Sequence, residues 1–234
     1  MSAPNKIYAQ ITLFCNMNPP CAHCCYDSGP WHRDFMSDAV FEATLKAWPG
    51  VYLNVGGGEP TCHPRFWELM AMALRDRGAG MVWVATNGKK AHDAIILAEM
   101  VRKGEIRGVL SQDEWHEPIS PLVVEFWRQT TNPNGKPVIR DIGKRGTLPV
   151  RSGRCDWGLD VCNGHGGPWV MWDGSVRQCG CLDAPVVGDV FGGCSPTGGE
   201  WKCWKGLMHP DKRHTLPGAR PKKEIRDERR TCVQ

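Results

Sequence analysis

Three cysteines lie close together near the start of the chain, in the segment CNMNPPCAHC. They are Cys15, Cys21 and Cys24, separated by five and by two residues. Three thiolates on one short loop can hold three irons of a [4Fe–4S] cube and leave the fourth iron without a protein ligand. An open coordination position on a metal supports chemistry, whereas a fully ligated metal is structural or carries electrons. Because Cys25 follows Cys24 directly, a register that uses Cys25 stays open.

A glycine-rich turn, Gly57-Gly58-Glu59, follows the next predicted strand. Glycine lets the backbone approach a ligand closely because it has no Cβ, and a carboxylate can accept a hydrogen bond from an ammonium group. The cysteine loop and this turn together resemble the radical S-adenosylmethionine (SAM) superfamily, although C-x5-C-x2-C departs from the usual C-x3-C-x2-C. The resemblance implies that SAM chelates the open iron and that Gly57, Gly58 and Glu59 hold its amino group. It also places His23 where the family has an aromatic residue, in position to pack on adenine.

The composition supports a metal protein. The chain has twelve cysteines in 234 residues, a density that would predict disulfides in a secreted protein. However, the N-terminus lacks an apolar signal segment, and no run of eighteen apolar residues could span a bilayer. We therefore expect a cytoplasmic location without a membrane partner. The net charge of +4 is too mild to argue for a nucleic-acid partner.

Apolar strand patterns alternate with helical patterns over the first 145 residues. The predicted strands are 7–14, 51–55, 81–85, 106–110 and 138–142, and the predicted helices are about 37–48, 64–77, 91–103 and 121–129. Such alternation implies right-handed βαβ units and a parallel sheet. A closed barrel needs about 250 residues, so we predict an α/β fold with an open, partial (β/α) barrel over 1–145. The SAM resemblance implies the same fold.

The remaining motifs also lie at predicted strand ends, where parallel α/β folds build their sites. Thr86 and Asn87 resemble the Thr-Asn-Gly of the superfamily's third strand, which lies near SAM, although Asn-Gly alone predicts a turn. Ser111, Asp113 and His116 resemble its fourth-strand Ser-x-Asp…His motif. By that resemblance Ser111 contacts SAM, and Asp113 and His116 face the substrate as catalytic candidates. A helix cap is the structural alternative for Asp113.

A second group of cysteines follows the glycine-rich, basic segment 143–154, which we interpret as a linker. Asp173-Gly174 predicts a tight hairpin between strands 169–172 and 175–178, which would bring Cys162 and Cys179 together. The spacing C-x11-G-x4-C resembles the SPASM and twitch extensions, which bind an auxiliary iron–sulfur cluster. The resemblance implies such a region over 146–209, with a probable auxiliary [4Fe–4S] cluster whose other ligands come from the later cysteines. We favour Cys194 and Cys203, because alternation along a strand would turn Cys181 away from Cys179; Cys155 and Cys232 are outside candidates. Residues 210–234 are predicted to be a basic, flexible tail.

The resemblance implies an enzyme that receives an electron from a donor such as flavodoxin or ferredoxin and cleaves SAM at a [4Fe–4S] cluster. The resulting 5′-deoxyadenosyl radical would abstract hydrogen from a peptide or protein side chain. A small metabolite such as a nucleoside or a sugar is the alternative substrate. An iron–sulfur electron carrier or a zinc-structured binding module is the alternative class, against which the three-thiolate spacing and Gly-Gly-Glu argue.

Overall fold

The computed structural model describes residues 4–135, 138–141, 152–155, 166–196 and 199–205. Cys162, Cys232, most of the predicted linker and the predicted tail lie outside the described residues. None of the described helices is long and apolar enough to cross a membrane.

Strands and helices alternate through the first part of the chain and give way to short strands in the second. The strands are β1 (Lys6–Thr12), β2 (Tyr52–Gly57), β3 (Val82–Thr86), β4 (Arg107–Ser111), β5 (Ile139–Arg140), β6 (Trp169–Val170), β7 (Ser175–Arg177), β8 (Val186–Asp189) and β9 (Gly193–Cys194). The helices are α1 (Asp38–Ala47), α2 (Phe66–Arg77), α3 (Ala91–Arg102) and α4 (Pro121–Arg128), and a 3₁₀ turn covers Pro60–Cys62. These bounds agree with the sequence-based elements to within a few residues.

The described strands form one sheet in the order β5-β4-β3-β2-β1-β6-β7-β8-β9. Strands β1 to β5 are parallel, and β6 pairs in parallel with β1. The last four strands, β6 to β9, pair antiparallel with one another. The expected α/β fold with an open parallel sheet is therefore confirmed, and the predicted hairpin forms as β6 and β7 on the same sheet.

Alternation along the strands separates a helix-covered face from a face with a cavity. Ile7, Ala9 and Ile11 of β1 are buried in the main hydrophobic core, which α1 to α4 cover. The intervening Tyr8 points to the other face and lines the cavity, as does Trp83 of β3. One face of the sheet therefore packs in the hydrophobic core, and the other face lines a candidate site.

Local signals place the helix and turn boundaries. Ser37 caps α1 by accepting a hydrogen bond from the Val40 N–H at 3.3 Å, as its position in the sequence predicts. Gly174 adopts a left-handed conformation (φ +88°) at the β6–β7 turn, where Asp173 Oδ1 accepts hydrogen bonds from the backbone and the hydroxyl of Ser175. These contacts fix the direction in which the chain returns towards Cys179.

Candidate active site

The glycines of the Gly-Gly-Glu turn press against the end of β1. The backbone N–H groups of Gly58 and Glu59 donate to the carbonyls of Thr12 and Phe14, each at 2.8 Å. A Cβ on Gly58 would lie 2.2 Å from the Phe14 oxygen, and a Cβ on Gly57 (φ +143°) would lie 2.0 Å from the Thr12 oxygen. Glycine is therefore required here because the turn must touch the residues that lead directly into Cys15.

Glu59 is 1% exposed, and its carboxylate accepts four hydrogen bonds. Oε1 accepts from the backbone N–H and the hydroxyl of Thr61 at 3.3 and 2.6 Å and from the Thr86 hydroxyl at 2.8 Å. Oε2 accepts from the Asn87 N–H at 2.7 Å. Burial raises the pKa of the carboxyl, and these donors oppose the rise. Glu59 thus fastens the end of β2 to the end of β3, a role that the sequence did not indicate.

The three predicted thiols line one cavity on the face of the sheet that the helices leave open. Cys21 is buried, and Cys15 and Cys24 are partly buried. Asn87 Nδ2 donates to Cys15 Sγ at 3.8 Å, and the Ser28 N–H donates to Cys24 Sγ at 3.4 Å. Burial raises the pKa of Cys15 to about 12, and the neighbouring Glu59 and Cys24 add to the rise. A bound cationic centre would stabilise thiolates that burial alone disfavours.

Arg154 holds the cysteine loop from outside. Its Nε and its backbone N–H donate to the carbonyls of Cys21 and Cys24, at 3.4 and 3.0 Å. Its Nη1 pairs with Asp27 Oδ1 at 2.6 Å, and its Nη2 donates to the Ser28 carbonyl. The adjoining Gly153 fits so closely that a Cβ there would lie 2.8 Å from the loop backbone. Residues 152–154, for which the sequence predicts part of a linker, are therefore packed against the cysteine loop.

His23 and the Asp113–His116 pair meet beside Cys21. His116 Nδ1 lies 2.8 Å from Asp113 Oδ1, and the rings of His23 and His116 lie 5.3 Å apart. Burial raises the pKa of Asp113, but the hydrogen bond and the charge of His116 outweigh it, so that the pKa is lowered. Burial lowers the pKa of His23 to about 4. Ligand atoms of Cys21, His23 and His116 lie within 4.8 Å of one another, an arrangement that a single metal ion such as zinc could also use.

The cavity that these groups share has a volume of about 300 Å³, at the lower end of the range for small-molecule sites. Gly57, Gly58, Thr86, Asn87 and Ser111 all lie at or beside it, at the carboxyl ends of β2, β3 and β4. Aromatic side chains also line it, namely Tyr8, Tyr26 and Trp83. Two arginines also line it, Arg140 and Arg154, and motif analysis of the sequence found neither of them.

The second group of cysteines gathers at the end of the β6–β7 hairpin. Cys179, Cys181 and Cys203 are all buried, and hydrogen bonding from Cys181 lowers the pKa of Cys179. Gln178 Nε2 donates to the carbonyls of Glu200 and Lys202, at 2.6 and 3.2 Å, and so brings Cys203 beside the hairpin.

This grouping differs in part from the predicted set of Cys162, Cys179, Cys194 and Cys203. The expectation that Cys181 points away from Cys179 is wrong: the two side chains are in contact, and residues two apart share a face even along a strand. Cys194 lies on β9, where it packs against the main core. Cys162 lies outside the described residues.

Comparison with known proteins gives relatives in both sequence and structure. The chain is 36% identical over 100 residues to mycofactocin maturase MftC of Mycobacterium ulcerans, a match covering 41% of this chain and 26% of that protein. A match to MftC of Mycobacterium tuberculosis is also 36% identical, over 78 residues, and covers 31% of this chain and 19% of that protein. The chain thus matches about a quarter or less of these relatives' length. No protein-family model matches the chain.

A crystal structure of BtrN in complex with AdoMet and 2-DOIA has the same fold. The structural match covers 81% of this chain and 79% of the BtrN chain, with a TM-score of 0.57 and 16% sequence identity. The fold and site define an α/β protein with an open parallel sheet and a three-thiolate loop at the carboxyl ends of its strands. With the motifs and the relatives described above, they support assignment of the chain to the radical SAM superfamily.

Proposed function

We propose that the chain is a radical SAM enzyme whose [4Fe–4S] cluster is held by Cys15, Cys21 and Cys24. The observation that carries the proposal is that these thiols line one cavity together with the Gly-Gly-Glu turn. The residues fit the group, because Cys15, Cys21 and Cys24 line the same space, as does Cys25, and Cys15 and Cys24 accept hydrogen bonds from nearby N–H donors. With an electron from an external donor, the cluster held by these cysteines would supply the cleavage of SAM to methionine and a 5′-deoxyadenosyl radical, and this radical would remove a hydrogen atom from a C–H bond of the substrate.

Several side chains are proposed to position SAM. The backbone of Gly57 and Gly58 would approach the amino group. Thr86, Asn87 and Ser111 line the same cavity as the cysteines, which supports their predicted contacts with SAM. His23 lies beside Cys21, where it can pack against adenine. Glu59 lines the cavity, and in the described part of the chain its Oε2 accepts only from the Asn87 N–H, so this oxygen keeps a lone pair for the predicted contact with the SAM ammonium. Its Oε1 holds Thr86 in place.

The Asp113–His116 pair is proposed to accept a proton from the substrate. Asp113 accepts from His116 Nδ1, an arrangement that leaves Nε2 as the acceptor. His116 lines the cavity, so this nitrogen is available to a reacting group there. The pair therefore suits a general base.

A peptide or protein is the proposed substrate. Two relatives are named maturases, and a maturase acts on a precursor. The resemblance of the hairpin and later cysteines to the SPASM and twitch regions supports the same class. The coarser assignment, radical SAM chemistry on an organic substrate, does not depend on this choice.

A second cluster is proposed at the end of the β6–β7 hairpin. Cys179 and Cys203 belong to the predicted set. Cys179 contacts Cys181 and interacts electrostatically with Cys203, which supports Cys181 as a third ligand in place of Cys194. Cys162 completes the proposed set. Four thiolates would leave no open iron, so this centre would transfer electrons or position substrate.

The two sites are tested separately after anaerobic reconstitution with iron and sulfide. The variant with Cys15, Cys21 and Cys24 all changed to Ala should form no 5′-deoxyadenosine from SAM and dithionite but should keep about four irons at the second site. Adding Cys181→Ser to this variant should remove that iron, whereas adding Cys194→Ser should not. Cys25→Ala alone should keep full SAM cleavage. SAM cleavage by the triple variant would disprove the catalytic assignment, and iron near zero in a folded triple variant would disprove the second site.

A further inference from the structure

One ion pair, between Lys89 and Glu117, holds the backbone of the cysteine loop. Lys89 follows β3 and Glu117 follows β4, and Lys89 Nζ pairs with Glu117 Oε2. The same Nζ donates to the Asn16 carbonyl at 2.7 Å. The same carboxylate oxygen accepts from the Asn18 N–H at 3.0 Å. The pair thus contacts the loop on both sides of Met17, which is buried and lines the cavity.

The peptide group between Asn16 and Met17 links this ion pair to a proposed cluster ligand. Its carbonyl is the one that accepts from Lys89. Burial raises the pKa of Cys15 to about 12, and a hydrogen bond from the Met17 N–H to the sulfur opposes the rise. This peptide bond is trans, so its carbonyl and its N–H point in opposite directions. Lys89 and the Cys15 sulfur therefore lie at opposite ends of one planar, rigid group.

Further contacts fix the position of Lys89. Its backbone N–H donates to Asn87 Oδ1 at 3.0 Å. Asn87 Nδ2 in turn donates to Asn16 Oδ1 at 2.8 Å, so the same turn also holds the loop. The side chains of Lys89 and Glu117 are only 27% and 26% exposed, and partly buried charges are screened less than surface charges. The charge of Lys89 is thus held against the Asn16 carbonyl, where it strengthens the N–H at the other end of the peptide as a donor.

The next residue, Lys90, makes contacts of the same kind elsewhere. Its Nζ donates to the Thr61 carbonyl and pairs with Asp93, each at 2.8 Å. Within the described residues, neither contact reaches the cysteine loop. Lys90 is therefore a matched control for Lys89, with the same charge, the same kinds of partner and a neighbouring position.

Hydrogen bonds to the sulfurs and nearby charge are two of the factors that set the reduction potential of an iron–sulfur cluster. An N–H donor and a positive charge both favour the reduced form, because reduction adds negative charge that the sulfurs share. We propose that Lys89, held by its ion pair, orients the Met17 N–H towards the Cys15 sulfur and thereby raises the reduction potential of the cluster on this loop. This rests on the proposed function, since it concerns the cluster of the same loop. Lys89 and Glu117 are positioning residues, because they act through the backbone of the loop.

The first test measures the midpoint potential of the loop cluster by electron paramagnetic resonance at poised potentials. The chains carry Cys179→Ser and Cys203→Ser, so that only the loop cluster is expected to remain. Lys89→Met should shift the potential to more negative values, because the peptide loses its orienting contact and Glu117 keeps an unpaired charge. Glu117→Gln should shift it to more positive values, because the amide oxygen can still accept hydrogen bonds while Lys89 keeps an unpaired charge. Lys90→Met should shift it much less than Lys89→Met.

The second test needs no cluster. Hydrogen–deuterium exchange of the segment 15–24 is followed by mass spectrometry on the iron-free, reduced chain. Lys89→Met should make exchange in this segment about tenfold faster than in wild type, because the loop backbone loses a charged partner. Lys90→Met should exchange like wild type.

Potentials of Lys89→Met and Glu117→Gln that move in the same direction would overturn the proposal, since general loosening of the loop predicts that result. A Lys89→Met chain with the potential or the segment exchange of wild type would also overturn it. If Lys89→Met does not fold, Glu117→Gln decides, and a potential at or below that of wild type overturns the proposal.

The two tests also separate this inference from the proposed function. If wild type takes up no cluster, the proposed function and the effect on potential fail together, whereas faster exchange in Lys89→Met would still support the orienting role. If wild type cleaves SAM and Lys89→Met keeps the potential of wild type, the inference fails and the proposed function stands.

Discussion

The contacts of Glu59 predict how much its replacement should lower the free energy of unfolding. Glu59→Ala leaves two threonine hydroxyls and two backbone N–H groups without their acceptor. A hydrogen bond to a charged group contributes about 1.5–3 kcal/mol, but the four bonds are coupled, and the carboxylate's own burial opposes them. We therefore expect a loss of about 3 kcal/mol rather than the full sum. For a chain of this size that corresponds to a fall in Tm of roughly 6–12 °C.

The assay is thermal unfolding of the iron-free, reduced protein, followed by circular dichroism. Glu68→Ala is the matched control, since Glu68 lies on α2 with its side chain 53% exposed and in a long ion pair with Arg65. It should change stability by no more than about 0.5 kcal/mol. If Glu59→Ala melts within about 2 °C of Glu68→Ala, Glu59 does not fasten β2 to β3 and its carboxylate is free for a ligand.

Three further predictions concern the cysteine loop and its neighbours. Gly58→Ala should lose iron from the loop, because its Cβ would meet the Phe14 carbonyl, whereas Gly50→Ala, with nothing within 4 Å, should keep it; equal iron contents would contradict this. Arg154→Ala should lower iron retention during gel filtration relative to the exposed Arg102→Ala, because the carbonyls of Cys21 and Cys24 lose or loosen their donors. Asp113, with a lowered pKa, should contribute stability above its unfolded pKa near 3.9 and lose it as the pH falls through the folded value. Urea unfolding of the iron-free chain should therefore depend less on acid pH in Asp113→Asn, and an unchanged dependence would refute the pairing.

Periodicity in the sequence predicted the parallel sheet well because β1 to β4 and α1 to α4 have regular apolar patterns and clear end signals. Ser37 and Pro49-Gly50 bounded α1 in this way. The cysteine loop and Gly-Gly-Glu were visible because their chemistry depends on residue type and short spacing. The shared edge of the sheet then brought them together, as parallel topology requires.

The unpredicted features depend on contacts between distant parts of the chain. Arg140 and Arg154 carry no local motif, and their roles arise only when β5 and residues 152–155 reach the cavity. The prediction that Cys181 faces away from Cys179 misapplies strand alternation, since residues two apart share a face. Gln178 donates to the backbone carbonyls of Glu200 and Lys202 and so holds Cys203 near the hairpin. No sequence pattern predicts this contact.

The central claim is that the cluster on the Cys15 loop has an open iron that binds and cleaves SAM. The most direct measurement uses a variant with Cys179 and Cys203 both changed to Ser, so that only the loop cluster is expected to remain. Electron paramagnetic resonance of the dithionite-reduced protein is recorded with and without SAM, and 5′-deoxyadenosine is quantified after a single turnover. We predict a SAM-dependent change in the signal and about one 5′-deoxyadenosine per cluster. A fully loaded cluster with a signal unchanged by SAM and no 5′-deoxyadenosine would contradict the account.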